Sequence, residues 1–226
     1  MSNMIITISR SYGSGGRVIG RMLSENLKIP YYDRNLIYLA SNRTGIDLKY
    51  FAKYDEDMKR KIFDHIIPSE RNKYVSKDEI FMRQAEVIKD VADDSDCVIV
   101  GRCADYILKN SGHKILRVFI YANEIDCIET IMNKLSISKS EAMKSISEIN
   151  KHRADYYFYH TNKDWTSAEN YDICINTSVY APEQSVELII ECSKIFRTIW
   201  LIKNKIFRTI WLIKKVILLY HVFKIF

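Results

Sequence analysis

The stretch from Met4 to Leu27 constrains this chain more than any other. Met4-Ile-Ile-Thr-Ile-Ser9 is a short, β-branched run of the kind buried in a parallel sheet. Gly13-Ser-Gly-Gly16 follows, and then the apolar spacing Val18, Ile19, Met22, Leu23 and Leu27, which suits an amphipathic helix stopped before Pro30. A strand, a glycine turn and a helix in that order make the first unit of a parallel α/β sheet. The turn delivers converging backbone N–H groups to the positive end of the helix, where phosphate oxygens are held.

The lysine that such a loop usually carries is missing. The pattern G-x-x-x-x-G-K-[ST] can be laid on the chain in two registers. Starting at Arg10, Gly15 falls on the second glycine, Gly16 on the lysine and Arg17 on the magnesium-binding hydroxyl. Starting at Ser11, Gly16 takes the second glycine, Arg17 the lysine and Val18 the hydroxyl. The second register keeps a cation beside the phosphates, although a guanidinium is a planar fork and not a compact point charge. Both registers lose the hydroxyl, so metal would be held through water, Ser14 or a carboxylate elsewhere.

The rest of the body continues the alternation. Tyr31-Tyr32, Cys97–Val100, Leu116–Tyr121 and Tyr171–Ile175 read as further strands, with helical patterns over Phe81 to Ala92 and Asn123 to Leu135. Two regions depart from it. Residues 34–80 are long, polar and helix-like, and residues 137–163 are charged and rich in helix formers. Each is large enough to cover a site at the carboxyl ends of the strands, or to be an ordinary set of surface helices.

Charge separates the last segment from the body. Eight of the 34 lysines and arginines follow Glu191, the last acid, which leaves 26 against 28 acids, a net of −2. The body thus offers no basic face for nucleic acid. Within 194–226, KIFRTIWLIK occurs at 194–203 and again at 205–214. That 11-residue period returns each residue to nearly the same helical angle. Lys194, Arg197, Lys205, Arg208 and Lys215 then share one face, Ile195, Ile199, Ile202, Ile206, Ile210 and Ile213 another, and Lys203 and Lys214 interrupt the apolar side. A basic amphipathic helix lies on an anionic membrane or fills a partner's groove; a duplicated extension without a role is the other reading. Five scattered cysteines without a C-x-x-C pair, no signal-like N-terminus and no apolar run of spanning length predict a cytoplasmic protein. His65, His113, His152, His160 and His221 are dispersed, and no triad or histidine metal cluster is present in the pattern.

Three blocks together carry a resemblance: ITISRSYGSGGRVIGRMLSENLKIPYYDRNLI, VIVGRCADYIL and HRADYYFYHTNKDWTSAENYDICINTS. In this order, from about residue 4 to 190, they resemble the cytidylate kinase-like family of P-loop nucleoside monophosphate kinases, in a branch that commonly reads GSGGR in the loop. The resemblance implies an α/β P-loop NTPase fold, with a mostly parallel sheet flanked by helices, over residues 1–193. The acceptor-binding insertion would be about 34–80 and the lid about 137–163, with the basic tail at 194–226. It implies ATP as phosphate donor, Mg2+, and a nucleoside monophosphate acceptor, CMP or dCMP.

Carried over residue by residue, Gly13, Ser14, Gly15, Gly16, Arg17 and Val18 match the donor-phosphate loop. Asp33, Arg102 and Asp105 match acceptor-site positions, and Lys151 and Arg153 match the lid's basic cluster. Asn150 stands where relatives often have an acid that would orient Arg153. Asp33 can equally cap the helix that follows it. Arg17, Arg102 and Arg153 are the expected catalytic residues, because phosphoryl transfer depends on positioning and charge neutralisation. No metal ligand is assigned. The competing reading is a non-catalytic nucleotide-binding or regulatory protein with a degenerate loop.

Overall fold

The computed structural model describes residues 2–33, 35–45 and 76–223. Most of the expected acceptor-binding insertion, residues 46–75, lies outside them. The described elements are β1 (Met4–Arg10), α1 (Gly16–Leu27), β2 (Tyr31–Tyr32), α2 (Asn35–Thr44), α3 (Lys77–Asp94), β3 (Cys97–Val100), α4 (Ala104–Ile107), β4 (Lys114–Tyr121), α5 (Glu124–Leu135), α6 (Lys139–Thr161), β5 (Ile173–Asn176) and α7 (Pro182–Phe223).

All five strands are parallel, in the order β2-β3-β1-β4-β5. β1 is central, with Ile8 beside Val100 of β3 and Val118 of β4. Its run of isoleucines is buried on both faces, as a strand between two helical layers requires. Met4, Ile6 and Ile8 join Ile19 and Leu23 of α1 and Val186 and Ile189 of α7. Ile5, Cys97 and Ile99 pack on the other face against Leu36 and Ala40 of α2 and Ile80, Val87, Ile88 and Val91 of α3. Each fully buried isoleucine of this sheet stabilises the fold by about 1.5–3 kcal/mol.

The chain leaves β1 for β2 at one edge, returns to β3, and then crosses past β1 to β4 and β5 on the other side, so the carboxyl end of β1 lies at the change of winding direction where open α/β sheets bind ligands. The region expected as a lid begins with α6, capped by Ser138 and Glu141 in a reciprocal capping box. A second small core, Cys127, Ile128, Ile131, Ala142 and Ile146, fastens α6 to α5 beside the switch point.

The boundary expected at 193/194 falls inside one continuous helix. α7 runs for 42 residues. Beyond Ser193, Phe196 still packs on the sheet core, Arg197 pairs with Asp96, and the Lys114 ammonium lies 4.8 Å from the centre of the Trp200 ring. No described helix is long and apolar enough to cross a membrane.

Candidate active site

The glycine loop turns sharply at the head of β1. Ser11 N–H donates to the Ile120 carbonyl of β4, and Gly15, with φ of 75°, sits in the left-handed region as the N-cap of α1. Glycine adopts that conformation without steric cost. A Cβ on Gly15 would meet nothing within 4 Å, so the backbone there stays open to close approach. The first amides of α1 consequently converge on the mouth of the switch-point crevice.

Arg10, the last residue of β1, threads between this loop and the end of β3. A Cβ on Gly16 would lie 2.6 Å from Arg10 Cβ, and one on Gly101 would lie 2.5 Å from Arg10 Nη1. Two glycines from separate segments therefore make room for one arginine side chain. The segment after β3 is strained to match: Gly101, Arg102 and Cys103 are all left-handed, at φ of 78°, 62° and 54°. Such a conformation costs of order 1–3 kcal/mol for each non-glycine residue, and it is held here by the buried Cys103 side chain in the core with Phe119 and Tyr157.

These elements line a cleft that is open to solvent. Arg10, Arg17, Arg102, His152 and Arg153 all line it, with Tyr156, Tyr157 and Trp165 forming the aromatic wall. The three arginines expected to act on the transferring group are thus brought together from α1, the end of β3 and α6. Arg17 Nε lies 2.9 Å from Asp33 Oδ2, and Arg10 Nη2 lies 4.0 Å from Asp33 Oδ1. The Asp33 side chain faces these arginines, while its backbone carbonyl accepts from Leu36 N–H at the start of α2. Tyr31 borders the same carboxylate, and burial, then the Asp33 charge, push its phenol up to about 12, so it stays protonated at neutral pH.

Arg153 is 7% exposed, which an arginine tolerates only with partners. Its Nη1 donates to the Arg10 carbonyl at 2.7 Å, and its guanidinium lies 5.7 Å from the centre of the Tyr12 ring. One turn earlier on α6, Asn150 Oδ1 accepts the Tyr12 N–H at 2.8 Å. Two side chains of α6 are therefore fastened to the backbone of the phosphate loop itself. Asn150 does not orient Arg153 directly, as an acid there would; it holds the loop against the same helix face.

Four expected site residues are placed differently. The Val18 side chain is 55% exposed on α1, and its N–H is taken by the Gly15 carbonyl. Ser14 is buried, with its hydroxyl directed at the carbonyls of Ser11 and Ile120 rather than outward. Asp105 is 5% exposed behind the aromatic wall and accepts the Tyr157 O–H at 2.7 Å. Burial pushes its carboxyl above the usual range, against the lowering effect of that bond. Lys151 is exposed on α6, away from the cleft lining. Arg10 and Asn150 are the residues not assigned from sequence; the position of Arg10 at the carboxyl end of the central strand was the available signal.

A five-stranded parallel sheet with a glycine loop at the head of its central strand, opening on an arginine-lined cleft, defines a P-loop phosphotransferase. The sequence matches the cytidylate kinase-like family over residues 5–179, and the chain belongs to that family. It is 26% identical over 181 residues to the cytidylate kinase of Pyrococcus horikoshii, covering 80% of this chain and 83% of the other. With the cytidylate kinase of Methanobrevibacter smithii it shares 25% over 193 residues, covering 85% and 99%. Among solved structures, an uncharacterized protein from Eubacterium ventriosum superposes with a TM-score of 0.64 at 22% identity, over 85% of this chain and 99% of that one. The shikimate kinase of Bacteroides thetaiotaomicron gives 0.51 at 14%, over 84% and 98%. Both are likenesses of fold.

Proposed function

We propose that the protein is a nucleoside monophosphate kinase that transfers the terminal phosphoryl group of ATP to CMP or dCMP. The observation that carries this reading is the convergence of Arg17, Arg102 and Arg153 on one cleft beside the glycine loop. Donor phosphates lie on the amides of residues 13–16 at the start of α1. The acceptor phosphate meets Arg102, whose fork gives two parallel hydrogen bonds to a phosphate. Arg153 and Arg17 then neutralise charge on the group in flight, as phosphoryl transfer requires. The cytosine preference rests on the names of the relatives at about 25% identity.

The loop fits magnesium poorly as a protein-held ion. Ser14 turns its hydroxyl inward and Val18 stands where a hydroxyl ligand would be. Among the described residues no cluster of three His, Cys, Asp or Glu side chains is arranged to hold a metal. In such a site Mg2+ is carried by the nucleotide's phosphates and water. The same feature favours the second reading, a nucleotide binder that does not turn over.

Purified protein with ATP, Mg2+ and a panel of nucleoside monophosphates separates the two. Diphosphate formation, fastest with CMP or dCMP, supports the kinase; ATP binding without product from any monophosphate supports the binder. A faster reaction with UMP or AMP would keep the kinase and remove the cytosine assignment.

A further inference from the structure

α7 presents two faces of different character around residues 189–206. Ile189 and Ser193 are buried, and Phe196 and Trp200 contact the body. At 100° per residue these four positions fall within one arc of roughly 60°. About 120° away lies a second arc, Ile195, Ile199, Ile202 and Ile206, which are 59%, 46%, 53% and 53% exposed. Their spacing of four, three and four residues keeps them in a single stripe along the helix. Lys203 flanks the stripe on one side and Lys194 on the other, and both are exposed; Lys194 also pairs with Glu191. The sequence repeats the whole arrangement 11 residues on, with Lys205 and Lys214 at the helical angles of Lys194 and Lys203.

We propose that this isoleucine stripe, with its lysine rows, seats α7 on an anionic lipid surface, parallel to the bilayer plane. An interfacial helix sinks an apolar strip a few ångströms into the acyl boundary and keeps basic side chains at headgroup level on both flanks. The exposed isoleucines supply the strip, and the flanking lysines reach the headgroups. Charge decides the occupant. Every charged residue after Glu191 is positive, so a second tail would lay lysine against lysine, whereas anionic headgroups complement both rows. The body, attached about 120° around the helix, stands clear of the lipid.

The test is sedimentation of the full chain with vesicles of phosphatidylglycerol and phosphatidylcholine, against phosphatidylcholine alone, with analytical ultracentrifugation in parallel. The chain is expected to bind the anionic vesicles and to lose that binding as salt rises. The double substitution Ile199→Asp with Ile202→Asp should weaken it by at least about tenfold, and Lys203→Glu by less, with the melting temperature unchanged because all three side chains are exposed. Failure to bind anionic vesicles, equal binding to neutral ones, or undiminished binding by the isoleucine double variant would overturn the proposal. So would a soluble dimer dissolved by the same substitutions, which would make a second copy the occupant.

Discussion

Arg17 Nε lies 2.9 Å from Asp33 Oδ2, which draws the cation that succeeds the glycine loop toward the carboxyl end of β2. Under the proposed function this cation supplies the charge of the missing lysine, held on a carboxylate whose other oxygen lies 4.0 Å from Arg10 Nη2. Arg17→Ala should lower kcat by about 100-fold, the scale for losing a preorganised charge partner in the transition state. Arg17→Lys should keep a measurable fraction. Asp33→Asn should raise the acceptor KM more than it lowers kcat. Near-normal turnover by Arg17→Ala would move the role to Arg10, Arg102 or Arg153.

Arg102 projects into the cleft from a left-handed backbone at the end of β3. Arg102→Ala should weaken acceptor binding by about 1.5–3 kcal/mol, the worth of a charge-assisted hydrogen bond, and leave the donor's affinity almost unchanged. Isothermal titration with each nucleotide reads this directly. Equal losses for both would assign Arg102 to the shared phosphoryl position instead.

Asn150 ties α6 to the Tyr12 amide. Asn150→Ala should lower kcat several-fold with little change in melting temperature, because the lost bond is local and part-exposed. Asn150→Asp retains an acceptor for that N–H and should recover most of the rate. Identical rates for the wild type and both variants would show that the loop keeps its shape without α6.

Asp105 gives a pH prediction. Its carboxyl is raised by burial, so the folded state binds a proton more readily than the unfolded chain, whose aspartate titrates near 3.9. Its contribution to stability is therefore greatest in acid and declines as pH rises above about 4. Asp105→Asn keeps an acceptor for Tyr157 without the buried charge. Its melting temperature should equal the wild type's near pH 4 and exceed it increasingly toward pH 8. Asp105→Ala, which leaves the Tyr157 O–H without this acceptor, should be about 1–3 kcal/mol less stable than Asp105→Asn at any pH in that range.

Much of the sheet was legible because parallel strands buried on both faces are written as β-branched runs, and 4–9, 97–100 and 116–121 are such runs. The convergence of Arg17, Arg102 and Arg153 was legible only through the three-block resemblance, since nothing local links positions so far apart. The inward turn of Asp105 was hidden: its partner Tyr157 lies 52 residues away on α6. The continuity of α7 was readable but masked by the repeat. The chain has neither glycine nor proline after Pro182, so no stop signal interrupts a helix there, yet the shift in charge after Glu191 suggested a boundary. Val18 was counted in the apolar spacing of α1, but it falls at the margin of the face that buries Ile19 and Leu23, and its side chain is exposed.

The sleeve that Gly16 and Gly101 form around Arg10 changes what a loss-of-function mutation in the glycine motif means. A methyl group at Gly16 would strike the stem of Arg10 before it met any nucleotide, and one at Gly101 would strike the guanidinium. Random mutagenesis that scores these two glycines as indispensable would therefore be measuring the fit of an arginine side chain, whereas Gly15, whose missing side chain borders open space, reports on its left-handed backbone and on the ligand. In a genetic screen the three positions belong to two different phenotypes: intragenic suppressors of Gly101→Ala should arise at residue 10, where a shorter side chain removes the guanidinium, whereas the clash of Gly16→Ala with Arg10 Cβ is relieved at that position by glycine alone.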